Sequence, residues 1–185
     1  MKQIQLDDRR TQKTKKNLAD ALKELILEKG YDAVTVQEII DRANVGRSTF
    51  YNHYESKEQL LVGNINFQEA LINVPVNDDE NYPMGINIAY LFNHLKEHVH
   101  SGKAMMGSRG IDFLFNYFAD LCAMRILEYH KRQPVNTGSG QQMIRYQAEA
   151  AAGGITRMLF KWLEDGAVVP VNEMIALAKR ILELH

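Results

Sequence analysis

The chain lacks several features that mark whole classes of protein. It has one cysteine in 185 residues, so it cannot form an internal disulfide framework. Its 22 basic and 23 acidic residues give a net charge of −1, so the chain as a whole has no basic excess that would indicate nucleic-acid binding. No uncharged stretch is long enough to span a bilayer, and the first residues are charged. These absences predict a cytoplasmic protein that does not contact membrane.

The patterns of several kinds of active site are absent too. The segment Gly138-Ser139-Gly140 lacks the Gly-Lys-Ser/Thr ending of a phosphate-binding loop and follows no predicted strand. No Ser/His/Asp or Cys/His order stands out along the chain. The sequence therefore predicts a protein that is not an enzyme, with no catalytic residues and no cofactor.

The chain does contain signals for two short helices joined by a tight turn, within residues 35–57. Thr35 and Glu38 have the spacing of a capping box, which predicts a helix start. Residues 44–46, Asn-Val-Gly, supply the conformational freedom of a turn. A second helix is predicted to begin at Arg47.

Most of the second helix is polar. Phe50 and Tyr54 are four residues apart and are suited to anchoring the helix to a core. The remaining positions carry hydrogen-bonding side chains, namely Arg47, Ser48, Thr49, Tyr51 and Asn52. Arginine pairs with guanine edges and asparagine with adenine edges, while hydroxyl groups suit phosphate oxygens or bases. The pattern favours a helix-turn-helix that reads DNA; the alternative is a solvated amphipathic helix followed by a polar loop.

These residues resemble the DNA-binding region of the tetracycline-repressor (TetR) family of transcription regulators. The shared elements are Thr-Val-x-x-Ile, Ala-Asn-Val, Arg-Ser-Thr-Phe-Tyr-x-His-Tyr and Ser-Lys-Glu-x-Leu-Leu, and the match runs without a gap over about residues 14–61. The resemblance implies an all-α fold, with an N-terminal three-helix helix-turn-helix domain (1–57) and a helical dimerisation and effector domain (58–185). Asn44 replaces the family's frequent Gly and Gly46 its common Ser, which leaves the fold intact but can change the base preference.

The resemblance also implies roles for individual side chains. The base-facing residues would be Arg47, Ser48 and Asn52; the phosphate-binding residues would be Thr49, Tyr51 and Lys57; Thr35 and His53 complete the predicted DNA-binding set. A capping pattern at Ser56 and Gln59 places Lys57 in the first turn of a helix, where an anion is favoured. By itself, that pattern fits an ordinary surface lysine better than a phosphate contact.

Beyond residue 57 the sequence predicts helices alone, over about 58–73, 84–100, 105–132, 141–165 and 171–184. The predicted breaks are Pro75–Pro83, Ser101-Gly102 and Pro134–Gly140. The last two helices carry apolar stripes. They predict a homodimer interface made of Ile155, Met158, Leu159, Trp162, Met174, Ile175, Ala178, Ile181 and Leu182.

The resemblance supports this homodimer, because TetR-family regulators pair their last two helices with the copies in a second subunit. Two recognition helices would then reach the half-sites of a palindromic operator about 34–36 Å apart, or a multiple of that. The segment 162–166, Trp-Leu-Glu-Asp-Gly, is similar to the branch that includes regulators of dihydroxyacetone kinase operons.

One group of methionine and aromatic residues is a candidate pocket for a small-molecule effector. The group comprises Met105, Met106, Phe113, Tyr117 and Phe118. Methionine adapts its shape and aromatic rings supply large apolar walls, and the resemblance implies that many relatives respond to small molecules. The alternative is that these residues are simply core.

The histidines raise a different possibility. His94 and His98 are four residues apart, with Glu97 and His100 close by, and these donor types suit a transition metal. The His-Glu-x-x-His order and a ligand from elsewhere in the chain are missing, so we predict no metal. Two alternatives to an effector-controlled regulator remain: a TetR-like protein that acts mainly through a protein partner, and a metal-responsive regulator that uses His94 and His98.

Overall fold

The computed structural model describes residues 2–64, 71, 82–132 and 140–183. All regular structure in these ranges is helical, which confirms the predicted all-α fold. The α-helices are α1 (Lys2–Lys29), α2 (Val36–Ala43), α3 (Arg47–Tyr51), α4 (Lys57–Asn64), α5 (Ile88–Glu97), α6 (Val99–Met105), α7 (Arg109–Arg132), α8 (Gly140–Glu164) and α9 (Val171–Glu183). Short 3₁₀ turns cover Tyr31–Ala33 and Pro83–Gly85. Among the helices so described, none combines the length and apolar character that a bilayer crossing requires.

The chain forms two compact units. The N-terminal unit comprises Met1–Ile65 and Ala104–Ile111, and the C-terminal unit comprises Asn66–Lys103 and Asp112–His185. The N-terminal unit therefore contains α4 and the start of α7 as well as the first three helices. The functional division at residue 57 stays a prediction.

The core of the N-terminal unit is built from apolar side chains spaced at helical intervals. The buried side chains are Leu18, Leu22, Leu25 and Ile26 of α1, Ile39 and Ile40 of α2, Phe50 of α3, and Leu60 and Leu61 of α4. On the surface, Arg42 of α2 donates to both carboxylate oxygens of Glu28, at 2.7 and 2.9 Å. This bidentate pair links α2 to α1.

The ends of α2 follow the local sequence. The hydroxyl oxygen of Thr35 accepts from the Glu38 amide at 3.3 Å, and the Thr35 amide donates to the Glu38 carboxylate at 2.9 Å, so the predicted capping box is present. Asn44 ends the helix in the left-handed conformation, with φ of 52°. Helix α3 is shorter than predicted, ending at Tyr51 rather than near Tyr54.

One predicted break in the C-terminal half is wrong. Residues 101–102 lie inside α6, and the chain turns instead at residues 106–108, where Gly107 has φ of +76°. A Cβ on Gly102 would lie 2.5 Å from a methyl carbon of Leu163. This glycine therefore permits close packing and does not end a helix. Most of the other two predicted breaks, and the end of the predicted helix 58–73, lie outside the described residues.

Candidate nucleic-acid interface

Helix α3 is held by the two aromatic anchors that its sequence predicts. Phe50 is fully buried and Tyr54 almost so, and their ring centroids are 6.1 Å apart. With one side of the helix fixed in this way, its other side chains are directed outward. Arg47, Ser48, Tyr51 and Asn52 are exposed, and Thr49 and His53 are half-buried. We call Arg47, Ser48, Tyr51 and Asn52 the α3 face.

A hydrogen-bonded chain of polar groups joins the α3 face to α2. The Arg47 guanidinium donates to the side-chain oxygen of Gln37 at 3.4 Å and lies 5.8 Å from the ring centroid of Tyr51. Gln37 in turn donates to Asp41 at 2.8 Å. The sequence marks Gln37 as a solvated residue of α2, but only the turn between the helices places it beside Arg47. Gln37 is thus a polar neighbour of Arg47 that sequence reasoning missed.

The hydroxyl group of Thr35 is used within the fold. It donates to the carboxylate of Glu38 at 2.8 Å while accepting from the Glu38 amide. The hydrogen bond from Lys29, together with those from Thr35, lowers the pKa of Glu38 from 4.5 to about 2. Thr35 is therefore a helix cap here, and its predicted contact with DNA stays a prediction.

Lys57 is also engaged inside the N-terminal unit. Its ammonium donates to the carbonyl oxygens of Tyr31 at 3.0 Å and Val34 at 2.8 Å, and it lies 4.3 Å from the centroid of the Tyr31 ring. Burial lowers the pKa of Lys57. Two of its three N–H donors are thus committed to backbone carbonyls. A phosphate contact would use the third, and it remains a prediction.

The surroundings of Lys57 form a cluster that the motif did not reveal. Tyr31 is buried and donates from its hydroxyl to Glu58 at 2.9 Å; burial and this carboxylate raise the pKa of Tyr31, so it remains protonated. The amide of Arg109 donates to the Asp32 carboxylate at 3.2 Å. We call Tyr31, Asp32, Lys57, Glu58 and Arg109 the Tyr31 cluster.

The start of α7 packs tightly against this cluster. A Cβ on Gly110 would lie 2.6 Å from the Tyr31 ring, so only glycine fits without movement. No motif in the sequence links residues 109–110 to residues 31–32, because the contact joins segments that are nearly 80 residues apart.

The predicted effector residues are divided between the two units. Met105 and Met106 belong to the N-terminal unit, and Phe113, Tyr117 and Phe118 to the C-terminal unit. Met105 and Phe118 are buried, whereas Phe113 is exposed and stacks on Tyr117 with ring centroids 6.5 Å apart. An effector pocket stays a prediction.

The predicted dimer residues divide into two groups by burial. Six lie in the protomer's own core, namely Ile155, Leu159, Trp162, Met174, Ala178 and Leu182. Met158, Ile175 and Ile181 are partly exposed. Along the same open side of α8, Met143 and Tyr146 are exposed, and a Cβ on Gly154 would have no atom within 4 Å. The exposed apolar side chains of these two helices therefore lie on the outer side of α8 and on part of α9.

Two family descriptions match the chain. "Bacterial regulatory proteins, tetR family" matches residues 18–63, which contain the α3 face and Lys57. "Transcriptional regulator C-terminal region" matches residues 87–184, more than half of the chain.

Curated relatives match short parts of the chain. The chain is 42% identical over 48 residues to the transposon Tn10 TetC protein of Escherichia coli, covering 26% of this chain and 24% of that protein. It is 38% identical over 48 residues to the HTH-type dhaKLM operon transcriptional activator DhaS of Lactococcus lactis subsp. lactis, covering 26% of each. It is 40% identical over 55 residues to the uncharacterized HTH-type transcriptional regulator YxbF of Bacillus subtilis, covering 29% of this chain and 14% of that protein. The matched segments thus span a small part of each relative.

Two solved structures share the fold along most of the chain. A TetR transcriptional regulator from Streptococcus agalactiae has a TM-score of 0.60 at 24% identity, covering 97% of this chain and 98% of that one. The dihydroxyacetone kinase operon activator DhaS has a TM-score of 0.59 at 20% identity, covering 92% and 93%.

Proposed function

This chain belongs to the TetR family of bacterial regulatory proteins and is a DNA-binding transcriptional regulator. We propose that it forms a homodimer and binds a palindromic operator through the α3 face. The observation that carries the proposal is the exposed row of hydrogen-bonding side chains on a helix fixed by a fully buried phenylalanine. A rigid helix with free donors and acceptors is suited to the major groove.

We assign base contacts to the residues whose polar groups make the fewest and longest hydrogen bonds within the protein. The hydrogen bond of Arg47 to Gln37 is long, at 3.4 Å, so the guanidinium can exchange it for a guanine edge at small cost. Asn52 and Ser48 are exposed beside it. Gln37, released by Arg47, would be a further polar group at the same surface.

Phosphate contacts are assigned to the hydroxyls of Thr49 and Tyr51. Because the whole chain has a net charge of −1, affinity must come from a local surface presented twice, with two-fold symmetry matching the palindrome. The homodimer is thus part of the DNA-binding mechanism.

The outer sides of α8 and α9 are the proposed dimer interface. Met143, Tyr146 and Leu177 are large apolar side chains exposed on these helices, and exposed apolar patches mark interaction sites. The open space at Gly154 allows a partner backbone to approach closely.

A small-molecule effector would act through α7. This helix begins at Arg109 against Asp32 in the N-terminal unit and continues to Arg132, carrying Phe113 and Tyr117 along the way. A ligand that shifts α7 would disturb the hydrogen bond between the Arg109 amide and Asp32 in the Tyr31 cluster. If no added small molecule changes the salt-sensitive binding of DNA, the effector proposal is wrong and a different signal controls the protein.

The DNA claim is tested by a gel-shift assay with DNA from beside the chain's own gene. We expect a sequence-dependent shift that weakens as salt rises. The absence of such a shift at every protein concentration would favour the alternative in which the chain acts through a protein partner.

The dimer claim is tested by light scattering on Gly154→Arg. A Cβ at this position meets no neighbouring atom within 4 Å, and arginine favours a helix more than glycine does, so the fold should survive while the partner is excluded. Met124→Arg, at an exposed position of α7, is the matched control. We expect a monomer for Gly154→Arg and a dimer for the control; dimers of both variants would contradict this interface.

A further inference from the structure

The last turn of α5 brings three metal-ligating side chains to one face of the helix. One imidazole nitrogen from each of His94 and His98 and one carboxylate oxygen of Glu97 all lie within 4.8 Å of one another. We propose that these three residues bind one first-row divalent transition-metal ion, with Zn²⁺ as the reference ion.

The donor set defines the class of ion. Two imidazoles and one carboxylate are ligands that Zn²⁺ takes at about 2.0–2.2 Å, with water completing the coordination. Such bond lengths place bound donors roughly 3–3.5 Å apart, so small side-chain rotations from the observed spacing close the site. Mg²⁺ and Ca²⁺ prefer sets made of oxygen ligands, and the two nitrogens argue against them.

The backbone and a neighbouring ring restrict the ligands. The amide of His98 donates to the carbonyl oxygens of His94 at 3.3 Å and Leu95 at 3.2 Å, which ties both histidines to a single closed turn. Their ring centroids are 4.6 Å apart. The ring of Tyr90 stacks on that of His94, with centroids 5.7 Å apart and an interplanar angle of 10°. A metal would therefore meet ligands that already lie close together and lose little freedom on binding.

The nearest basic residue of the helix is occupied elsewhere. Lys96 donates to the carbonyl oxygen of Ala167 at 2.7 Å and lies 6.0 Å from the centroid of the Trp162 ring. Residues two apart on a helix do not face each other, so this ammonium does not share the face of His94 and His98. Repulsion between a bound cation and Lys96 is thereby limited.

The structure adds one observation that the spacing of the histidines does not give, namely the position of the Glu97 carboxylate. From the sequence we predict no metal, because the His-Glu-x-x-His order and a ligand from elsewhere in the chain are missing. The sequence places Glu97 near the histidines without showing that its carboxylate reaches them. In the structure, the i, i+3 spacing from His94 brings the carboxylate into the group. His100, which the sequence also suggested, is exposed on α6 and is not among the three grouped residues.

The test is a Zn²⁺ titration of the full chain after treatment with a chelator, in competition with a chromophoric zinc indicator. We expect one equivalent of Zn²⁺ to bind, and His98→Gln to weaken binding by about tenfold or more, in line with the loss of a ligand. Glu97→Gln should weaken it less, because an amide oxygen is a poorer zinc ligand than a carboxylate. His100→Gln is the matched control and should bind as the unmodified chain does.

Circular dichroism of each metal-free variant checks that the helices are retained, and Co²⁺ absorption provides a second readout that reports ligand geometry. A chain that binds no Zn²⁺ would overturn the proposal, as would equal losses in His98→Gln and His100→Gln. Since no DNA is present in the assay, its failure would leave the DNA-binding proposal intact.

Discussion

The α3 face and Lys57 lie only a few residues apart in the chain, but their polar atoms are used differently. On the α3 face, Arg47 makes one long hydrogen bond at 3.4 Å and its neighbours are exposed. The Lys57 ammonium, by contrast, donates to two backbone carbonyls at 2.8 and 3.0 Å. A side chain whose donors are already paired within the protein has fewer of them left for DNA, so residue type alone does not identify a contact.

This difference suggests a division of work inside the N-terminal unit. In our proposal the α3 face supplies the groups that distinguish base pairs, while the hydrogen bonds of the Tyr31 cluster hold the backbone around residues 31–34 to the start of α4. Substitutions in the α3 face should then change DNA preference with little effect on folding. Substitutions in the Tyr31 cluster or in the buried anchor should change folding first.

The largest effect is expected from Phe50→Ala. Removing this fully buried ring should lower the free energy of unfolding by about 3–5 kcal/mol, as for other buried phenylalanines. The variant should bind all DNA weakly, because α3 is no longer held. Urea unfolding measures the change.

The control for Phe50→Ala is the neighbouring aromatic residue. Tyr51 is 47% exposed, so Tyr51→Ala should change the free energy of unfolding by less than about 1 kcal/mol. Similar losses of stability in the two variants would show that α3 is not anchored through Phe50.

Arg47→Ala is expected to have the next largest effect, on binding and not on folding. Loss of one bidentate base contact should weaken binding to the operator by about 1–3 kcal/mol, with a much smaller change on random DNA. Fluorescence anisotropy with both DNAs measures the ratio. An equal loss of affinity for the two DNAs would show that Arg47 contacts the phosphate backbone, which is the role predicted for Lys57, and does not contact bases.

Lys57→Met tests the other half of the comparison. The carbonyls of Tyr31 and Val34 lose their donor, which should lower the free energy of unfolding by about 1–2 kcal/mol. If the third N–H contacts phosphate, the affinity for every DNA sequence should also fall by the same factor. The slope of log affinity against log salt concentration should then decrease in magnitude by about one. Lys16→Met, at a side chain that is 75% exposed, is the control. Equal free energies of unfolding in the two variants would show that the hydrogen bonds of Lys57 to Tyr31 and Val34 do not stabilise the fold.

The smallest effect concerns pH and the cap of α2. The pKa of Glu38 falls from 4.5 to about 2 on folding, so its contribution to stability is present above pH 4.5 and is lost as the pH falls toward 2. Glu38→Gln keeps a capping side chain but cannot ionise. The difference in thermal midpoint between the two proteins should shrink between pH 4.5 and 2; a constant difference would show that ionised Glu38 does not stabilise the fold.

The local features of the fold could be predicted because short stretches of chain determine them. The capping box at Thr35, the left-handed Asn44 and the buried anchors Phe50 and Tyr54 each depend on residues within one or two turns. Packing between distant segments could not be predicted in this way. The sequence predicts a helix break at Gly102, but this glycine lies inside α6 and packs closely against Leu163, which is about 60 residues away in the chain.

The same limit applies to the candidate site. Gln37 joins Arg47 only through the geometry of the turn, and the partners of Lys57 are backbone carbonyls, which carry no sequence signature. The apolar stripes of α8 and α9 predict a dimer interface that includes Leu159, a residue that is buried within its own protomer in the structure. They could not separate the protomer's own core from a surface for a second copy, because both require the same residue types.

The most direct test of the central claim is selection of bound fragments from random DNA, with the unmodified chain and with Arg47→Ala in parallel. We predict a palindromic motif whose half-sites are centred about 34–36 Å apart, or a multiple of that, and a loss of base preference at one symmetric pair of positions in the variant. Recovery of no motif, or of the same motif at full strength with Arg47→Ala, would contradict the claim that a homodimer reads its operator through the α3 face.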